Sequence, residues 1–192
     1  MAGPHTGVRQ DRLAGFATHE TCNDPLQWYH CAMNRSDFHT LFTYSDKCWA
    51  LLGEILPEAY EAWDTPFETT SAWNSVRTLL AHCIGAEERL VSLRLQNLPL
   101  PVTYEDRAAA DWASLYRDHK AVRTATYSYI KSLADAQFEE TVPGIAGRTD
   151  LTRADVLFHI INHENYHRGE VITALQRLGI DPPNFDYVLL KE

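Results

Sequence analysis

With 192 residues, 45% of them hydrophobic, the chain is long enough for one well-buried core, and no shift of composition marks a second domain. Seventeen Lys and Arg against 26 Asp and Glu give a net charge of −9, with no basic cluster to follow phosphates, which argues against nucleic acid as a partner. No apolar run approaches the length of a membrane span and no secretory pattern opens the chain, so the expected setting is the cytoplasm, without a membrane partner.

Residues 1–36 hold turn-forming residues in loose order without a helical or strand period, and read as an irregular N-terminal extension in which Trp28 and Tyr29 could anchor on the domain. From about Asp37 the period changes: Phe38, Leu41, Phe42, Ser45, Trp49, Leu52 and Ile55 recur at threes and fours until Pro57, which defines a first helix. A long connection with Pro57, Pro66 and a Thr/Ser cluster leads to a cap at Asn74 or Ser75 and a second helix ending near Asn97. There Val76, Leu79, Cys83, Ala86, Leu90 and Leu93 form the apolar side, with His82 at its edge.

After Pro99 and Pro101 a third run places Trp112, Leu115, His119, Val122, Thr126, Tyr129 and Leu133 at alternating threes and fours, with His119 and Thr126 as polar intrusions. A Pro143-Gly144 and Gly147 loop follows. Thr152 with Asp155 makes a capping box for a fourth helix that stops at Gly179, ahead of Pro182 and Pro183. The tail after Asn184 is expected to fold Tyr187, Val188, Leu189 and Leu190 back onto the helices. Four amphipathic helices without strands predict an all-α, antiparallel four-helix bundle over residues 37–192. Cys22, Cys31, Cys48 and Cys83 lack metal-site spacing and are too sparse for a disulfide scaffold, so reduced, mostly buried thiols are expected.

The fourth helix carries the densest chemistry, His159-Ile-Ile-Asn-His163-Glu164-Asn-Tyr-His167-Arg168-Gly-Glu170. Histidines four apart lie about 40° and 6 Å from each other on a helix, and the outer two about 12 Å apart, so only one adjacent pair can share an ion. With His163 at 0°, Val156, Leu157, Ile160, Val171, Ala174, Leu175 and Leu178 fall between about 20° and 120°; His167 points into that arc at about 40°, while His159 turns towards solvent at about −40°. His163 and His167 are therefore the pair able to ligate, and His82 is a candidate third ligand. His119 and His159 read as ordinary histidines of the fold.

Tyr44-Ser45 with Trp49, Ser75-Val76 through Leu80-Ala81-His82 with Ala86-Glu87, the word His163 to Glu170 ending His-Arg-Gly-Glu, and the closing Leu178-Gly179 with Asp181-Pro182-Pro183 together resemble the DinB/YfiT-like metalloenzyme family. That resemblance covers roughly Asp37 to Tyr187. It implies a four-helix bundle binding a divalent metal, usually zinc or nickel, through His82, His163 and His167, and a homodimer. Family members include transferases that join a low-molecular-weight thiol to an electrophile, so the resemblance implies a small-molecule substrate and a thiol cosubstrate.

His163-Glu164-x-x-His167 also satisfies the zinc-protease pattern in which the Glu is a general base, but the further histidine of the metzincin form would fall at Thr173 and its glycine at Glu170. Glu164 is read first as an i,i+4 pair with Arg168, with a catalytic role as the alternative, and Glu170 and Arg168 take supporting positions behind the ligands. Three neutral imidazoles leave a +2 ion with an open position, as in catalytic zinc sites, where a water or a thiol is acidified. Thiol transfer is the favoured expectation; a metal-dependent hydrolase and a metal-binding protein without turnover are the alternatives.

Overall fold

The computed structural model describes residues 33–191 apart from 58–62, 69–71, 101–106, 108–109, 143 and 146. The expected extension over residues 1–36, with Trp28, Tyr29, Cys22 and Cys31, lies almost wholly outside the described residues. The described chain is all-α, with four long helices: α1 (Arg35–Ile55), α2 (Val76–Glu88, continued by a wider π-helical stretch, Arg89–Leu95), α3 (Trp112–Ser132) and α4 (Arg153–Arg177), followed by a short α5 (Tyr187–Leu190). No described helix is long and apolar enough to cross a membrane.

Each long helix begins where a polar side chain satisfies its first free amides. Asn34 accepts from Ser36 N and Asp37 N while Asp37 returns to Asn34 N; this cap starts α1 at Arg35, two residues earlier than the apolar period shows. Ser75 and Thr78 cap α2, Asp111 caps α3 through Ser114 N, and Thr152 with Asp155 forms the reciprocal box expected for α4. At the far end of α4, Gly179 takes φ +75°, and the Gly179 and Ile180 amides donate to Gln176 O and Leu175 O, which closes the helix in a Schellman turn that a side chain at 179 would strain.

Two apolar clusters reveal how the helices run. Trp49, Leu52, Val76, Leu79, Leu80, Leu115, Val122, Val171 and Leu175 share one. Phe38, Phe42, Val91, Tyr129, Ile130, Val156, Leu157 and Ile160 share the other. Helices α1 and α4 therefore pass from the second cluster to the first, and α2 and α3 run the opposite way. Each of α1 and α2 packs on both α3 and α4. This makes α2 and α4 antiparallel neighbours, as are α1 and α3.

Between the clusters lies a polar layer. Ser45 falls between Phe42 and Trp49, Glu87 between Ile84 and Val91, Arg123 and Thr126 between Val122 and Tyr129, and Glu164 between Ile161 and Val171, all of them buried. His119, also buried, stacks on Trp49 at 4.1 Å between ring centroids and faces Asp46 Oδ1 at 3.5 Å, an ordinary structural role. Cys48 and Cys83 are buried free thiols, and burial raises the pKa of each.

The tail departs from expectation. Tyr187 packs its ring edge on Tyr44, and Lys47 donates to Leu190 O, but Val188 and Leu189 are 75% and 66% exposed. A helix of four residues makes barely one turn, so it can turn only one side to the bundle.

Candidate metal centre

The antiparallel pairing of α2 and α4 brings His82 against the pair one turn apart on α4. His163 Nε2 lies 3.1 Å from both His82 Nε2 and His167 Nε2, and one ligand atom from each histidine falls within 4.8 Å of the others. Three nitrogens each about 2.0–2.1 Å from a tetrahedral zinc would stand about 3.3 Å apart, so the residues present fit a divalent ion. His167 is buried, His163 half-buried and His159 exposed, the order in which the apolar arc ranks them.

The electrostatics favour free lone pairs. Burial first, and then the neighbouring His163 and His167, lower His82 to about 3; burial and His167 lower His163 to about 4. Both imidazoles are neutral at pH 7, the form a metal requires. On the other side of the ring, His167 Nδ1 lies 2.6 Å from Glu170 Oε2, an arrangement that places the Nδ1 proton on the carboxylate side and leaves Nε2 facing the cluster. Glu170→Gln should weaken zinc binding by about 10- to 100-fold, the usual cost of losing a carboxylate behind a ligand, as read by competition with a chromophoric chelator.

Aromatic rings border the histidines. Trp73 stacks on His82 at 3.3 Å between centroids and turns its face edge-on to His167 at 5.9 Å; Tyr166, 60% exposed, meets the His167 ring at 5.1 Å.

Glu164 and Arg168 do not form the expected i,i+4 pair. Glu164 accepts from Trp49 Nε1, from Ser45 Oγ at 2.5 Å, and from Arg123 at 3.2 Å. Arg168 donates to Cys48 Sγ, Tyr44 OH and Ser45 Oγ of α1 and to Asn165 Oδ1 of its own helix. The reason is angular: at about 100° from His163, residue 164 lies inside the apolar arc, so its side chain enters the bundle instead of lying along the surface. Burial alone would raise its pKa, but Arg123, then Arg168, His119 and Ser45, outweigh it and hold the carboxylate at about 2. So acidic a group, with both oxygens engaged, is a poor general base near neutral pH.

Arg123 and Glu87 also belong to this region, although no catalytic or metal-ligand motif singles them out. Arg123 follows His119 by four residues and precedes Thr126 by three, and Glu87 follows Cys83 by four; each thus sits on the inward side of its helix, a signal the sequence does contain.

A helical bundle with three converging imidazoles, two from one helix and one from its antiparallel neighbour, is an arrangement that could hold a divalent metal among its helices. The chain belongs to the DinB family, whose model matches residues 33–192. No curated protein matches it.

The bundle should not depend on the ion. Its two apolar clusters engage all four helices, unlike a zinc finger whose core is too small to fold alone. His82→Ala, or the wild type after chelation, should keep its helical circular dichroism and unfold cooperatively on heating; loss of the cooperative transition on chelation would show the metal to be a structural staple.

Proposed function

We propose that this DinB-family chain binds one divalent ion, zinc or nickel, through His82, His163 and His167, and that it is a metal-dependent enzyme transferring a low-molecular-weight thiol to an electrophilic small molecule. The observation that carries the reading is the cluster itself: among the described residues, the group able to hold an ion comprises three histidines and no fourth ligand, as in catalytic rather than structural zinc sites. A bound ion supplies Lewis acidity there and favours the ionised form of a thiol or water.

The protein's own residues suit that role. Glu170 orients His167, while the neutral state of His82 and His163 keeps their lone pairs available at physiological pH. Trp73 and Tyr166 put aromatic surface beside the cluster, a lining compatible with the carbon skeleton of a small organic electrophile. Glu164, engaged with Ser45, Trp49 and Arg123, is not placed to serve as the base that the protease pattern requires. A thiol that ionises on binding needs no such base.

The test is consumption of a small thiol in the presence of a reactive electrophile, with zinc or nickel added, by wild type and by His167→Ala. Metal-dependent thiol loss with formation of the thioether, absent in His167→Ala, is the expected result. Hydrolysis of an ester or peptide by the metal-loaded protein, with no thiol consumed across the screen, would overturn the transferase reading.

A further inference from the structure

The three histidines come from two helices, so their convergence depends on the height and rotation of α2 relative to α4. A shift of 1 Å between the helices would spoil a set of nitrogens whose mutual distances must match one ion. Apolar packing tolerates sliding better than directional bonds do, which raises the question of what fixes the register.

One side chain touches all three other long helices at the level of the site. Arg123, on α3 and buried, donates to Glu87 Oε2 of α2 at 3.1 Å and to Glu164 Oε2 of α4 at 3.2 Å. It also reaches α1, donating to Phe42 O at 3.3 Å and to Ser45 Oγ at 3.4 Å. Glu87 lies five residues beyond His82, and Glu164 lies directly after His163 and three residues before His167. Both carboxylates are fixed from their remaining sides: Thr126 donates to Glu87 Oε1 at 2.6 Å, and Ser45 and Trp49 donate to Glu164.

We infer that Arg123 is the positioning residue of the metal centre: by bridging Glu87 of α2 and Glu164 of α4 it holds in register the two helices that carry the three histidines. The inference rests on the reading of His82, His163 and His167 as ligands. Arg123 is not one of the three proposed ligands and acts through the helices that carry them. Its Nη2 serves Glu87, Glu164 and Ser45 together, while Nη1 donates to Phe42 O and lies 3.3 Å from Asp46 Oδ1; the rigid plane holds these two centres at a fixed separation that a single ammonium cannot reproduce. Two carboxylates and one arginine buried together are a costly way to stabilise a fold compared with apolar packing, and a register role accounts for their presence between two apolar clusters.

The experiment compares zinc affinity, by chelator competition, and the absorption spectrum of the cobalt(II)-substituted protein for wild type, Arg123→Lys and Leu133→Ala. Leu133, at the C-terminal end of α3, belongs to the second apolar cluster and is itself 30 residues or more from any of the three histidines in sequence; its truncation serves as a control that lowers the melting temperature without removing a member of the polar layer. Arg123→Lys should remain helical and cooperative, bind zinc about 10- to 100-fold more weakly and show an altered cobalt spectrum, while Leu133→Ala keeps wild-type affinity and spectrum. If Arg123→Lys does not fold, Glu87→Gln, which keeps the bond from Thr126, takes its place and should move affinity and spectrum in the same direction. Wild-type affinity and spectrum in the folded variant would overturn the inference, as would a loss no larger than that of Leu133→Ala. Failure of the wild type itself to bind zinc, nickel or cobalt would sink the ligand reading on which the inference stands.

Discussion

His167→Ala should reduce zinc affinity by about 10²-fold or more, since complete four-ligand zinc sites are worth about 10–16 kcal/mol and one ligand in such a set therefore accounts for about 3 kcal/mol. His163→Ala and His82→Ala should do the same, whereas His159→Ala should leave affinity unchanged, because residue 159 is exposed on the outer side of the row and lies outside the cluster. Titration of metal-free protein with zinc against a competing chelator checks all four. Loss of binding in His159→Ala with binding retained in His167→Ala would reverse the assignment.

Glu164→Ala should lower stability by about 3–5 kcal/mol, the usual consequence of stripping one partner from a buried ion pair, here leaving Arg123 without one of its two buried carboxylates. For a domain of this size that corresponds to a fall in Tm of about 10 °C or somewhat more. The pH dependence has a definite sign. Glu164 is held at about 2 in the folded protein, below its ordinary value of 4.5, so its contribution is present above about pH 4.5 and is lost as pH falls towards 2. Glu164→Gln should therefore be less stable than wild type at neutral pH and should lose less on acidification through that window, as read from thermal unfolding at a series of pH values. A Glu164→Gln protein as stable as wild type at pH 7 would mean that the buried carboxylate contributes nothing. The same substitution weakens the bridge to Arg123 and so should lower metal affinity, but at saturating metal its cost in turnover should stay well below the 10²-fold or greater loss expected of a missing general base.

The difference between the two expectations for Glu164 shows where reading along the chain reaches its limit. The His-Glu-x-x-His spacing is compatible with a catalytic base, a surface pair with Arg168 or a buried anchor, because all three place the carboxylate on the same helix at the same step. Its position at about 100° from His163 pointed inward, but a buried carboxylate needs a partner, and that partner, Arg123, is 41 residues away. The same holds for Glu87 and Arg123: their spacing turns them inward, but their partnership becomes visible only when helices α2 and α3 are set side by side.

The helices, the caps of α2 and α4, the stop at Gly179 and the ranking of His159, His163 and His167 by burial are legible along the chain, because capping and the 3.6-residue period act within a turn or two; the caps Asn34 and Asp111 of α1 and α3 were not read there. Packing between helices, by contrast, sets α2 antiparallel beside α4 so that His82 meets the pair, places the polar layer of Ser45, Glu87, Arg123, Thr126 and Glu164 between two apolar clusters, and leaves Val188 and Leu189 exposed. Those outcomes depend on which faces meet across the bundle, and a buried charge is tolerated only where another helix supplies its counter-charge and hydrogen bonds.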